Sequence, residues 1–261
     1  MTDYSSPWVL RRPGPARPVR LFCFCYAGGS ATAYMPWQEK LGPNIEICAI
    51  QLPGRGARFT EAAAENFDEL VAAIADAIAP LCDVPFAFFG HSLGALIAFE
   101  LAHRLSRQGL TMPRHVILSG CCGPRVRVRG RNLHLLPDDG LLEELRRYQG
   151  TPPEVLAHRE LIELVLPMIR ADFRLAAEYA CLPRLPLSVP ITVFAGRDDG
   201  CHTQDKYEDW FLDTTAVGRL EWFDGGHFFI NSDNLRVIAC IRKIIDVIGA
   251  RASVSLPRVL L

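Results

Sequence analysis

The pentapeptide Gly90-His91-Ser92-Leu93-Gly94 stands between an apolar run at 84–89 and an apolar-periodic stretch at 93–105, and this setting constrains the fold more than any other feature of the chain. A β-like run, a tight turn carrying a serine and a buried helix together read as a nucleophile elbow. A serine hydroxyl is a weak nucleophile until its backbone is held in a sharp turn, exposed to a base and aimed at N–H donors. Glycine on both sides lets strand and helix come close enough for that turn. The bare pattern would arise by chance in about one chain in ten of this length. The strand before it and the helix after it are what make it specific.

An elbow of this kind needs a sheet to sit on, and the remaining runs supply one. β-like segments recur at 19–24, 45–50, 84–89, 115–119, 191–194 and 220–223. Helical patterns lie between most of them. At 66–81, Phe67, Leu70, Val71, Ile74, Ile78 and Leu81 share one face, with Asn66 as a cap. At 232–248, Leu235, Ile238, Ile241, Ile245 and Ile248 repeat the spacing. Fully apolar strands alternating with helices predict an α/β fold, with a mostly parallel central sheet covered by helices on both faces. With 261 residues, 49% of them apolar, the chain suits a single domain over 1–261.

The alternation stops between 123 and 187. A basic loop with Arg125, Arg127, Arg129 and Arg131 leads into helical patterns at 141–148, 155–166 and 168–179, punctuated by Pro137, Pro152, Pro153, Pro167 and Pro183. This stretch reads as a helical lid inserted in the domain; the alternative is extra helices that merely close the fold. The arginines are either a solvated charge run or a patch that meets an acidic partner. The ends, 1–18 and 250–261, read as poorly anchored tails.

Charge and cysteine usage remove other classes. The 28 basic and 29 acidic side chains leave no global field to draw the chain to nucleic acid or an anionic membrane. The nine cysteines fall mostly inside apolar runs without a CxxC pair, as reduced core thiols do, and the seven histidines do not join them at zinc-ligand spacing. No metal site and no cofactor motif is expected. Residues 1–20 lack an apolar signal core and no apolar stretch reaches membrane-span length, so a soluble cytoplasmic enzyme is expected.

Serine needs a base, and the base an orienting carboxylate. After the strand at 191–194 come Asp198 and Asp199; after the strand ending at Phe223 comes Asp224-Gly225-Gly226-His227-Phe228-Phe229. Both sites follow strand carboxyl ends and so share the rim on which Ser92 lies. His227 is the expected base. Either aspartate could orient it, the other being solvated or capping. His202 lies too near the aspartates in sequence to reach Ser92 easily, His91 is expected to pack or hydrogen-bond locally, and Cys201 to be a small filler. For an oxyanion, the donors expected are the amide of Leu93, at the head of the helix, and that of Ala27 in the loop Tyr26-Ala27-Gly28-Gly29-Ser30. A phosphate cradle is the competing reading of that loop, but no P-loop lysine follows and GxGxxG is absent.

These residues resemble the stand-alone type II thioesterases of non-ribosomal peptide and polyketide synthase systems, in the α/β-hydrolase superfamily, over nearly the whole chain. Phe24-Cys25-Tyr26-Ala27-Gly28-Gly29-Ser30 is similar to the family's oxyanion loop, Gln51-Leu52-Pro53-Gly54-Arg55 to the loop after its second core strand, and Gly90-His91-Ser92-Leu93-Gly94 to its elbow. Gly150-Thr151-Pro152-Pro153-Glu154-Val155-Leu156, Leu166-Pro167-Met168-Ile169-Arg170-Ala171-Asp172-Phe173 and Gly225-Gly226-His227-Phe228 are similar to its lid and histidine segments. The lid strings are the most specific, since generic esterases share the elbow without them. The family carries its triad acid at the third place after a glycine and before a proline; Gly196 puts Asp199 there, although Gly200 replaces the proline. The resemblance thus implies a triad of Ser92, Asp199 and His227. It also implies an acyl thioester on the phosphopantetheine arm of a carrier protein as substrate, that carrier as partner, and a monomer. A general carboxylesterase or lipase of the same fold is the alternative within the enzyme class. A hydrolase fold retained only for binding is the alternative outside it, and the presence of Ser92, Asp199 and His227 argues against that.

Overall fold

The computed structural model describes residues 6–126, 132–148, 150, 156, 158–199 and 203–254, the last four by backbone only. Arg127, Arg129, Arg131, the string 151–155 and the Gly200, Cys201 and His202 positions lie outside the described residues.

The apolar runs assemble into one seven-stranded sheet: β1 (Val9–Leu10), β2 (Val19–Phe24), β3 (Ile45–Ile50), β4 (Phe86–His91), β5 (Val116–Ser119), β6 (Ile191–Gly196) and β7 (Gly218–Phe223), in the order β1-β3-β2-β4-β5-β6-β7. β1 runs antiparallel to β3 and every other pair is parallel. Strands β2 to β6 are buried along their full length because helices cover both faces. On one face Phe22, Phe24 and Phe88 pack with Ile74, Leu96 and Phe99; on the other, Leu21, Ile47 and Phe89 pack with Ile238 and Ile241. Period-two alternation along β2 therefore feeds two separate cores.

The helices are α1 (Trp37–Leu41), α2 (Phe67–Ile78), α3 (Leu93–Arg107), α4 (Asp138–Tyr148), α5 (Arg159–Glu178), α6 (Gln204–Glu208), α7 (Phe229–Ser232) and α8 (Asn234–Val254). Asn66 caps α2, its side chain accepting the Glu69 N–H at 3.1 Å. α3 follows β4 directly and is buried on nearly every side.

Three elements differ from the pattern expected of the sequence. Residues 6–18 are not a loose tail: Val9 pairs with Ile50, the Gln51 N–H donates to the Trp8 carbonyl at 2.8 Å, and the Arg58 guanidinium lies 3.7 Å over the Trp8 ring. A two-residue strand is too short to leave a periodic signature. β4 begins at Phe86 and runs on through His91 into the elbow, because its ladder with β5 continues to the His91–Ser119 pair. The patterns separated by Pro167 form one helix, α5, with that proline inside it. Proline in a helix interior forfeits one hydrogen bond, at a cost of about 3 kcal/mol. Ile162, Leu166, Met168 and Ile169, all buried around it, offset that loss.

Within 123–187, Leu133, Leu141, Leu145, Leu166, Met168 and Ile169 form a third apolar cluster, distinct from the two on the sheet faces. α5 packs on the loops that follow β2 and β3. Ile169 sits where a Cβ on Gly28 would touch it at 3.1 Å, and Met168 faces Gly54 in the same way at 3.3 Å.

Candidate active site

At the end of β4 the chain turns into α3 through Ser92, which has φ 55° and ψ −115°. It is the one non-glycine residue with positive φ among the described residues. Such a conformation costs on the order of 1–3 kcal/mol and persists only where the surroundings fix it. Here the Ser92 N–H donates to the Ser119 carbonyl at 2.8 Å, and the Ser92 carbonyl accepts from Ala95 N–H at 3.0 Å. The flanking glycines are required by contact rather than by φ. A Cβ on Gly94 would strike the Phe24 carbonyl of β2, and one on Gly90 the Gly94 carbonyl. Serine at a helix N-cap ordinarily spends its hydroxyl on a backbone N–H. Ser92 makes no such bond, so the half-buried hydroxyl is left for another use.

The loops after β6 and β7 are knitted together. Arg197 N–H donates to the Phe223 carbonyl at 2.9 Å and Asp198 N–H to the Gly225 carbonyl at 3.0 Å. A Cβ on Gly196 would meet the Gly226 and Gly225 carbonyls, so the two loops can touch only with glycine there. Of the two adjacent aspartates, Asp198 is exposed and Asp199 is buried. Asp199 Oδ2 lies 2.9 Å from His227 Nδ1, and Tyr207 donates its hydroxyl to the same oxygen at 3.3 Å. The His227 ring is boxed by His91 at 5.2 Å, Phe228 at 5.2 Å and Tyr148 of α4 at 5.5 Å between centroids. The structure thus brings Asp199 and His227 into contact and sets the histidine beside the elbow. Ser92 Oγ and His227 Nε2 do not hydrogen-bond in it; such bonds often tighten only when substrate is bound.

His91 turns away from solvent into the core. Its Nδ1 lies 2.9 Å from Ser119 Oγ, and burial holds its pKa well below the ordinary histidine value, so it is neutral at physiological pH.

The loop from Tyr26 to Ser30 is fixed from three directions. Gly29 N–H closes a turn on the Tyr26 carbonyl at 2.9 Å, with Gly28 at φ 77°. Gln51 Oε1 accepts from the Ser30 hydroxyl at 3.1 Å and from Ala31 N–H at 3.3 Å. Asp172 of α5 accepts the Gly28 N–H at 2.8 Å, while Arg55, doubly bonded to that carboxylate, donates to the Gly29 carbonyl at 3.1 Å. The Leu93 amide sits at the first position of α3, where no intrahelical acceptor exists. Beside the loop lies a cavity of about 310 Å³, bounded by Tyr26, Ala27 and Thr32 on one side and Val165, Met168 and Ile169 of α5 on the other.

Periodicity and spacing gave no role to Gln51, Arg55, Asp172 or Tyr207. The first three stand within strings that carry the family resemblance, which marks them without saying what they bond; Tyr207, eight residues after Asp199 on a five-residue helix, carried no signal at all. Of the four arginines of the basic loop, Arg125 lies among the described residues. Arg125 is committed inward by two hydrogen bonds, of 2.7 and 2.8 Å, to the buried Asp213. Among the described residues no group of three or more His, Cys, Asp or Glu side chains could hold a metal ion, and no helix is long and apolar enough to cross a membrane.

Known proteins resemble the chain over most of its length. The model of the thioesterase domain family matches residues 19–246. The gramicidin S biosynthesis protein GrsT of Aneurinibacillus migulanus is 38% identical over 228 residues, covering 87% of this chain and 89% of that protein. Among solved structures, the type II thioesterase BorB from the borrelidin biosynthetic cluster superposes with a TM-score of 0.85 at 34% identity, over 93% of this chain and 99% of its own. ClbQ from the colibactin NRPS/PKS pathway superposes with a TM-score of 0.84 at 31% identity, over 89% and 98%.

Proposed function

The chain belongs to the thioesterase family and has its α/β-hydrolase fold, and from that premise we propose that it is a type II thioesterase, a serine hydrolase that releases acyl groups from the phosphopantetheine arm of a carrier protein. The observation that carries the catalytic assignment is the buried Asp199 carboxylate held 2.9 Å from His227 Nδ1, on the sheet rim that also bears the strained Ser92.

In the first half-reaction His227 Nε2 takes the Ser92 hydroxyl proton as Oγ attacks the thioester carbonyl. Asp199, bonded to Nδ1, fixes the ring and stabilises the imidazolium. The amides of Leu93 and Ala27 hold the oxyanion, and the N-terminal end of α3 adds its dipole. As the tetrahedral intermediate collapses, the C–S bond breaks and His227 returns its proton to the sulfur. A thiol, with a pKa of about 8.5, leaves far more readily than an alkoxide. Water activated by the same histidine then cleaves the acyl-serine, giving the free acid.

The 123–187 segment serves as the lid over this site. Support comes from its separate apolar cluster and from the seating of Met168 and Ile169 on the loops that carry Gly54 and Gly28. The cavity beside Ala27 is the natural space for part of the substrate. The protein acts as a cytoplasmic monomer whose partner is the loaded carrier, as expected for editing of stalled or mis-loaded acyl groups.

Assay of wild type and Ser92→Ala on an acyl-loaded carrier, the matching small pantetheine thioester and an oxygen ester of the same acyl group tests this function. Thioester hydrolysis that vanishes in Ser92→Ala is expected. A marked preference for the oxygen ester would instead make the chain a carboxylesterase.

A further inference from the structure

Tyr207 lies on α6, outside every motif of the site, yet its side chain is fully buried behind the acid. Its ring packs edge-on against Trp222 of β7 at 5.8 Å, which fixes where the hydroxyl points. That hydroxyl donates at 3.3 Å to Asp199 Oδ2, the same oxygen that faces His227 Nδ1 at 2.9 Å. We propose that Tyr207 is a positioning residue for the acid–base pair: by sharing Asp199 Oδ2 with His227 it locks the carboxylate rotamer and sets how much of its negative charge the imidazolium feels. The proposal rests on Ser92, Asp199 and His227 acting as the catalytic set.

The physical basis is the capacity of one oxygen. A carboxylate oxygen offers about two acceptor directions, and two donors on Oδ2 leave it no freedom to swing away from the histidine. Hydrogen bonding to the charged form also draws electron density from Oδ2, which weakens its pull on the protonated imidazole. Burial, reinforced by the neighbouring Asp199 charge, raises the Tyr207 phenol far above its ordinary pKa, so it stays a neutral donor across the working range. Among the described residues, the other titratable groups facing the pair are His91 from the end of β4, Tyr148 from α4, and Cys121 and Cys122 from the loop after β5.

Two variants pull in opposite directions. In Tyr207→Phe the carboxylate loses one donor. His227 then holds its proton more tightly, and the acid limb of the kcat/KM profile moves up by about half a pH unit. Loss of the rotamer lock lowers kcat about fivefold with KM unchanged. A 2,3-difluorotyrosine at 207 keeps the volume while making the hydroxyl a stronger donor, so the acid limb moves down; this variant keeps the test decisive should Tyr207→Phe fold poorly. A limb that stays put in both, or moves against these directions, overturns the proposal. Wild type and Ser92→Ala are assayed alongside: wild type active, Ser92→Ala inactive and both Tyr207 variants like wild type would remove Tyr207 alone, whereas a wild type without thioesterase activity would remove the catalytic assignment itself.

Discussion

Asp172 on α5 and Arg55 in the loop after β3 form a two-bonded ion pair, at 2.6 and 2.8 Å, in which the side chains are only 1% and 5% exposed. The same carboxylate accepts the Gly28 N–H of the loop that carries Ala27, so a helix of the 123–187 segment, the β3 loop and the candidate oxyanion loop share one buried charge cluster. Removing one partner from such a pair leaves an uncompensated charge and costs about 3–5 kcal/mol, whereas replacing both with apolar groups is often close to neutral. Asp172→Asn should therefore lower Tm by about 10 °C. The double variant Arg55→Met with Asp172→Leu should recover part of that loss, since it removes both charges but leaves the Gly28 N–H and the Gly29 carbonyl without these partners. Thermal melts of the three proteins decide it, and a double variant less stable than the single would contradict the assignment.

Gly94 and Gly109 offer a matched pair. Gly94 has no room for a Cβ, since the backbone of Phe24 and Cys25 fills the space. Gly109, at φ 63° just past α3, has nothing within 4 Å of the added atom. Gly109→Ala should cost only the backbone strain, about 1–2 kcal/mol. Gly94→Ala must push α3 away from β2, and is expected to yield no soluble enzyme or one without hydrolysis. Equal melting temperatures for the two would show that the elbow glycine is not a contact residue.

Ser92 combines strain with chemistry, so two substitutions there separate the effects. Ser92→Gly removes the Cβ that makes φ 55° costly and should stabilise the fold by about 1 kcal/mol while abolishing hydrolysis. Ser92→Ala abolishes hydrolysis without that gain. The readout is Tm with activity, and a glycine variant no more stable than the alanine variant would show that the turn is unstrained.

What the sequence displays, and what it hides, follows sequence distance. The elbow was legible because strand, turn, serine and helix are contiguous, and His227 because two glycines and an aromatic pair flank it. In the sequence only the resemblance favours Asp199 over Asp198; in the structure burial separates them, and burial depends on α6 and the β7 loop closing around β6. Arg55 and Asp172 are 117 residues apart, and no periodicity links them. Pro167 conceals the continuity of α5 for a related reason. A proline reads as a helix end from its own chemistry, while the contacts that carry α5 through it come from Leu133, Leu141 and Leu145 on other elements. β1, two residues long, exists through Ile50 and Ala49 rather than through any pattern of its own.

Two buried histidines, His91 and His103, and the half-buried His115 lower the stability of the fold in acid. Burial lowers the pKa of His103 and of His115 to about 4, with Arg184 and Arg219 respectively adding to the effect, and it holds His91 well below the usual 6.5. Each is neutral when folded and free to take a proton when unfolded. Above pH 6.5 neither state is protonated and the fold has its full stability. As pH falls from 6.5 toward 4 the unfolded chain binds protons that the folded one refuses, so stability falls by up to about 1.4 kcal/mol per pH unit for each histidine. His115, whose Nε2 lies 2.8 Å from Thr192 Oγ1, is the one to test, because glutamine can keep that contact without titrating. Denaturant midpoints measured from pH 7.5 to 4.5 should fall less steeply for His115→Gln than for wild type, with the two curves meeting above pH 6.5 apart from a constant offset. Parallel curves throughout would mean that His115 takes up its proton in the folded state as readily as in the unfolded one.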